Sequence, residues 1–256
     1  MTLLRIEGLN KAFDGIHAVN DLSFSINSAT IHSIIGPNGA GKTTLFNLIT
    51  GLYRPDSGRI LFDDHDITAV APHVLARHGL SRTFQNLQIF FNMTALENVM
   101  VGRHLHCDPR FLPSLLRLPS IVRKDRECRD EAVELMHFVG LGDYIASDAT
   151  AMPYGTLKWL EIARALATRP KMLLLDEPAA GLNPAETQAI DELIQKVAES
   201  GVTVVLVEHD MRLVMGVSSH ILVLDRGRKL AEGTAEEIRH NPNVVAAYLG
   251  EGGRHR

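Results

Sequence analysis

The residues best suited to do chemistry stand consecutively near the start of the chain: Gly36, Pro37, Asn38, Gly39, Ala40, Gly41, Lys42, Thr43 and Thr44. Gly36, Gly41, Lys42 and Thr43 fill the fixed positions of the pattern G-x-x-x-x-G-K-[ST]. Glycines let a backbone fold tightly round an anion with its N–H groups turned inward, and a helix opening at Lys42 adds its positive dipole end. The stretch therefore reads as a phosphate-binding loop. In that chemistry Lys42 reaches the β- and γ-phosphates of a nucleoside triphosphate, and Thr43 offers its hydroxyl to Mg2+.

Other polar groups stand at the ends of apolar runs. Residues 172–175 are wholly apolar and lead into Asp176, Glu177 and Pro178, and residues 203–207 lead into Glu208, His209 and Asp210. Such runs suit parallel strands covered on both faces, and open α/β sheets bind ligands at the carboxyl ends of those strands. Asp176 is there placed for the hydration shell of Mg2+, and Glu177 for polarising a water that attacks the γ-phosphate. His209 by itself reads as a structural histidine; at the end of a neighbouring strand it is placed to touch the γ-phosphate or the attacking water. Gln85 closes residues 80–85, expected as a strand that delivers a polar ligand or sensor at its end.

These side chains need elements to hold them. Residues 31–35 form a buried strand entering the loop, and Leu45, Leu48 and Ile49 keep helical spacing until Gly51. Upstream, Leu4 and Ile6, then Leu22, Phe24 and Ile26, alternate as in half-buried antiparallel strands. Spacing alone makes Phe13 a core residue, though an aromatic there could also stack on a nucleotide base. Thr94 with Glu97 has the form of a capping box, and Ala132, Leu135, Met136 and Val139 form a helical stripe ended by Gly140. Asn183 and Pro184 open a further helix. From Cys107 to Ser120, three prolines interrupt Phe111, Leu112, Leu115 and Leu116, as in an irregular insertion with exposed apolar surface. The expected organisation is one α/β domain over 1–256, with a mostly helical subdomain inserted over 86–163 and an unstructured tail over 250–256.

Composition narrows the classes. At 256 residues and 45% apolar content the chain can bury a real core, and a net charge of −4 gives no support to a nucleic-acid-binding surface. No apolar run approaches the roughly 20 residues that span a bilayer, and the first residues carry no signal-peptide pattern, so a cytoplasmic location is expected. Cys107 and Cys128, in polar surroundings without C-x-x-C spacing, read as reduced thiols. His104, His106 and Cys107 read as a solvated helix end and not as a metal site.

With these pieces in order, the chain resembles the ATP-binding subunit of ABC transporters over nearly its whole length. Phe13 falls at the family's base-stacking aromatic, residues 36–44 at the Walker A loop and Gln85 at the Q-loop. Residues 173–178 match Walker B with its catalytic glutamate at Glu177, residues 180–183 fall at the D-loop, and His209 matches the switch histidine. The resemblance implies an α/β P-loop NTPase core with a mostly parallel sheet, an N-terminal antiparallel β part and an inserted helical subdomain. It implies ATP and Mg2+ as ligands, with Glu177, His209 and Gln85 as catalytic side chains and Thr43, Gln85 and Asp176 toward the metal. In its wider sequence the chain is similar to the first ATPase subunit of bacterial branched-chain and hydrophobic amino acid uptake systems. That branch implies two membrane permeases, a second ATP-binding subunit, an extracytoplasmic solute-binding protein and a peripheral place on the cytoplasmic face of the inner membrane. Related systems carry urea, amides or aromatic acids.

The signature segment departs from the family. Met152, Pro153, Tyr154, Gly155 and Thr156 align with LSGGQ, and of these Gly155 alone matches. In the family this segment closes the opposite subunit's ATP site with a serine hydroxyl, glycine N–H groups and a helix N-terminus. Pro153 has neither hydroxyl nor N–H to give, whereas Tyr154 and Gly155 keep their N–H groups. Two copies of the chain would build two altered sites; a partner with a fuller signature leaves one well-formed site around Lys42, Asp176, Glu177 and His209. A heterodimer is the expectation. The alternative, a nucleotide-gated regulatory subunit with little hydrolysis, has the intact Asp176, Glu177 and His209 against it.

Overall fold

The computed structural model describes residues 1–104 and 119–249. The expectations for His106, Cys107, the apolar residues of the insertion and the tail over 250–256 fall outside the described residues.

Strands β1 (Thr2–Phe13) and β2 (Ile16–Asn27) pair antiparallel, with Leu4, Ile6 and Leu9 facing the core from one and Leu22, Phe24 and Ile26 from the other. Strand β3 (Ile31–Ile35) leads through the glycine-rich loop into helix α1 (Lys42–Ile49). Strands β4 (Ser57–Phe62) and β5 (His65–Asp66) complete a four-stranded sheet of order β2-β1-β4-β5. Then follow α2 (Pro72–His78), β6 (Leu80–Arg82), α3 (Ala95–Arg103), α4 (Pro119–Phe138), α5 (Tyr154–Leu166) and β7 (Met172–Asp176). The chain continues with α6 (Pro184–Glu199), β8 (Thr203–Val207), α7 (Met211–Val217), β9 (His220–Asp225), β10 (Arg228–Gly233), α8 (Ala235–Arg239) and α9 (Pro242–Leu249). The second sheet runs β10-β9-β3-β8-β7-β6 and is parallel except at the β9–β10 pair.

Every residue of β3, β7 and β8 is buried, which is why residues 172–175 and 204–207 read as unbroken apolar runs, while β3 also buries the polar His32 and Ser33. Their side chains still alternate. Leu173, Leu175, Val204 and Leu206 pack on the helical side with Leu160 and Ile190. Met172, Leu174, Val205 and Val207 pack on the other side with Leu45, Phe46, Ile60 and Phe62. The parallel sheet is thus held between helices and the antiparallel sheet, each fully buried side chain contributing about 1.5–3 kcal/mol.

Local signals place the helices. Thr94 and Glu97 exchange both bonds of a capping box at the start of α3, and Asn183 and Glu186 do the same at α6, with Pro184 in its first turn. Two expectations need correction. The strand expected over 80–85 ends at Arg82: Thr83 still donates to the Leu174 carbonyl at 2.9 Å, but the Phe84 N–H turns to Oε1 of Glu161 and Gln85 stands exposed. β6 is an edge strand, so a polar side chain beside it can take over its backbone donors. Cys128, expected in polar surroundings, is buried on α4 at spacing i, i+4, i+8 with the buried Ala132 and Met136, and it is the reduced thiol that was expected. His104 is exposed at the end of α3. Among the described residues no helix is long and apolar enough to cross a membrane.

Candidate nucleotide-binding and hydrolysis site

Strands β3, β8, β7 and β6 are consecutive parallel neighbours, so the segments leaving their carboxyl ends emerge side by side, about 4.8 Å apart per strand. From β3 comes the glycine-rich loop, from β8 His209, from β7 Asp176 and Glu177, and from β6 the segment to Gln85.

The loop is glycine-dependent at two points. A Cβ on Gly36 (φ 151°) would fall 2.1 Å from the Leu224 carbonyl oxygen, and one on Gly41 (φ 99°), the N-cap of α1, 2.2 Å from that of Ala18. Lys42 is buried, and its Nζ donates to the carbonyls of Gly36 at 2.6 Å and Pro37 at 3.1 Å, which keeps the ammonium over the loop. Asn38, Gly39 and Thr43 are exposed, Pro37 and Ala40 buried, and Thr44 half-buried.

Glu177 lies between two of the other expected residues. Its Oε2 accepts from Gln85 Nε2 at 3.0 Å and its Oε1 pairs with His209 Nε2 at 3.1 Å. The backbone there is left-handed (φ 50°), and the Glu177 N–H donates to the Val207 carbonyl at 2.9 Å, tying the ends of β7 and β8. Glu208, which the sequence reading passed over, fastens the same two ends: its carboxylate accepts from the N–H groups of Ala179 at 2.8 Å and His209 at 3.0 Å. Burial pushes the Glu208 carboxyl up, those backbone donors pull it down, and the nearby Glu177 charge adds to the rise.

Asp176 is buried at the end of β7 and forms an ion pair of 2.7 Å with Arg82, a residue absent from the sequence expectations. The sequence showed only an arginine three residues before Gln85 in a mixed polar and apolar strand; a guanidinium so placed needs a partner once buried, and the chain does not name that partner locally. Phe13 is 41% exposed and meets the Tyr53 ring edge-on at 5.3 Å, so it is not the core residue that spacing alone suggested. Pro153 is the N-cap of α5 without a side-chain capping bond, Tyr154 is half exposed with its ring against Gly181, and Gly155 is buried against Glu186.

The donor set suits magnesium. Thr43 hydroxyl, Gln85 amide oxygen and Asp176 carboxylate are hard oxygen ligands, and no group of three or more His, Cys, Asp or Glu able to hold a metal occurs among the described residues. Mg2+ is characteristically held by one or two protein oxygens together with substrate phosphates and water.

A phosphate loop on a mostly parallel sheet, with an acid pair and a histidine at neighbouring strand ends, defines a P-loop nucleotide-binding cassette. Residues 19–180 match the family model described as ABC transporter, and residues 228–254 match that of the branched-chain amino acid ATP-binding cassette transporter. The chain is 46% identical to the high-affinity branched-chain amino acid transport ATP-binding protein BraF of Pseudomonas aeruginosa, over 97% of this chain and 98% of that one. It is 44% identical, with the same coverage, to the corresponding protein LivG of Escherichia coli. Its fold superposes on the ADP conformation of MJ1267, an ATP-binding cassette of an ABC transporter, with a TM-score of 0.85 at 34% identity, covering 98% of this chain and 99% of that one. The chain belongs to the family of ABC transporter ATP-binding proteins.

Proposed function

We propose that this chain is the ATP-binding and ATP-hydrolysing subunit of an importer for branched-chain or other hydrophobic amino acids. Its likeness to BraF and LivG along almost the whole length supports the solute class. The observation that carries hydrolysis is the placement of Glu177 between Gln85 and His209. In this reading Phe13 stacks on the adenine, the amides of residues 36–44 and Lys42 hold the phosphates, and Thr43, Asp176 and Gln85 face Mg2+. The bound metal supplies neutralisation of phosphate charge. Glu177 accepts a proton from the attacking water, while His209 orients Glu177 and the γ-phosphate side of the site; positioning and electrostatics do most of the work.

The signature segment at the start of α5, with Tyr154 and Gly155, closes the ATP site of an adjoining subunit. Pro153 makes that closure poor, so the working pair is a heterodimer with a second ATP-binding subunit. Two permease subunits and, through them, an extracytoplasmic solute-binding protein complete the assembly at the cytoplasmic face of the inner membrane. Residues 86–163 act as the moving subdomain that passes ATP-driven closure to the permeases. The test is the co-purified complex reconstituted in vesicles. Glu177→Gln is expected to keep ATP binding and to lose hydrolysis and leucine uptake together; hydrolysis by that variant at the wild-type rate would overturn the assignment.

A further inference from the structure

Arg82 ends β6, shortly before Gln85, and its side chain is only 6% exposed. Its Nη2 donates to Oδ2 of Asp176 at 2.7 Å, and its Nη1 donates to Oδ1 of Asn47 at 2.7 Å and Oγ1 of Thr50 at 3.2 Å. The rings of Phe46 and Phe84 stand 5.3 and 5.1 Å from its Cζ. One guanidinium therefore joins α1, the end of β7 and the segment that carries Gln85. Thr43, Asn47 and Thr50 recur at i, i+4 and i+7, so the face of α1 fastened to Asp176 is the face that carries Thr43.

Stability gives little reason for this arrangement. A buried ion pair gains little over apolar residues of the same volume, and here Nε of Arg82 is buried without a hydrogen-bond partner. The planar fork does what a lysine could not, since a single ammonium lacks the fixed geometry that reaches Asp176 and Asn47 together.

We infer that Arg82 is a positioning residue for the metal side of the nucleotide site: it occupies Oδ2 of Asp176, leaves Oδ1 as the oxygen for the hydrated ion, and holds that carboxylate in register with Thr43. The inference rests on the reading of Asp176 as the carboxylate that faces Mg2+. Groups of this kind, which orient a metal ligand from behind, change metal affinity by about 10–100-fold when removed.

The test is a Mg2+ titration of ATP binding to the purified full chain, with ATP binding in EDTA as the folding control. Arg82→Gln is expected to raise the Mg2+ concentration at half-effect by about tenfold or more and to leave binding in EDTA unchanged. Arg82→Lys should recover part of the loss. Asn47→Leu, which keeps the ion pair and removes one anchor, should give a smaller shift in the same direction and serves if Arg82→Gln does not fold. In the assembled complex the same variants should raise the KM for Mg2+ while kcat at saturating Mg2+ holds. If Asp176→Asn abolishes the Mg2+ dependence and the Arg82 and Asn47 variants leave the half-point unchanged or lower it, the positioning role is wrong. If Asp176→Asn itself leaves the dependence intact, the reading of Asp176 fails instead.

Discussion

His209 Nε2 stands 3.1 Å from Oε1 of Glu177, across the carboxyl ends of two neighbouring parallel strands. The other Glu177 oxygen accepts from Gln85 at 3.0 Å, so a side chain engages each carboxylate oxygen. A carboxylate held from two sides loses little freedom on acting as the base proposed above, and in that proposal its two holders are the side chains that meet the γ-phosphate.

Removing the imidazole should therefore cost chemistry more than binding. His209→Ala in the assembled complex is expected to slow ATP turnover by about 10²–10⁴-fold, the range of a lost acid–base or orienting group, with ATP affinity kept. Steady-state hydrolysis beside equilibrium binding of labelled ATP separates the two.

Backbone strain at Glu177 can be separated from its side chain. With φ at 50° the residue sits where glycine is at ease and any Cβ is not. Glu177→Gly should be more stable than Glu177→Ala by about 1 kcal/mol, both being inactive. Urea unfolding of the two variants measures the difference, and equal stabilities would mean that the strain is relieved elsewhere.

The phosphate loop tolerates no side chain at Gly41, whose Cβ would meet the Ala18 carbonyl at 2.2 Å. Gly41→Ala is expected to displace the start of α1 and weaken ATP binding by more than tenfold while the melting temperature falls only modestly. Fluorescence titration with an ATP analogue and thermal unfolding test both halves of the statement.

Stability should depend on pH through Asp191 on α6. Burial, then the charges of Asp210, Glu208 and Glu192, raise its carboxyl to about 6, and its Oδ1 is buried without a hydrogen-bond partner. A carboxyl raised in the folded state stabilises fully below its unfolded value of 3.8, and that contribution is lost as the pH climbs through about 6. Asp191→Asn should then melt higher than the wild type at pH 8, with the gap closing below pH 4. Melting curves across that range decide it, and a gap that does not change with pH would rule the linkage out.

The phosphate loop, the apolar strands and the helix caps were legible because each depends on neighbours close in sequence. Gly36 and Gly41 answer to backbone geometry, β3, β7 and β8 to burial on both faces, and Thr94 and Asn183 to the unpaired N–H groups of the first helical turn. What local pattern could not supply was strand order. Placing β8 between β3 and β7 is a decision of crossovers and packing, and it brings His209 to Glu177 and Gln85 to the same carboxylate. The Arg82–Asp176 pair was hidden for the same reason, its partners being drawn from α1 and β7, far apart in the chain. The sequence by itself determined which groups this protein can use, because residue type and short spacing carry that chemistry; only the tertiary structure decided which of them meet, because contact between distant segments is set by the packing of the whole sheet.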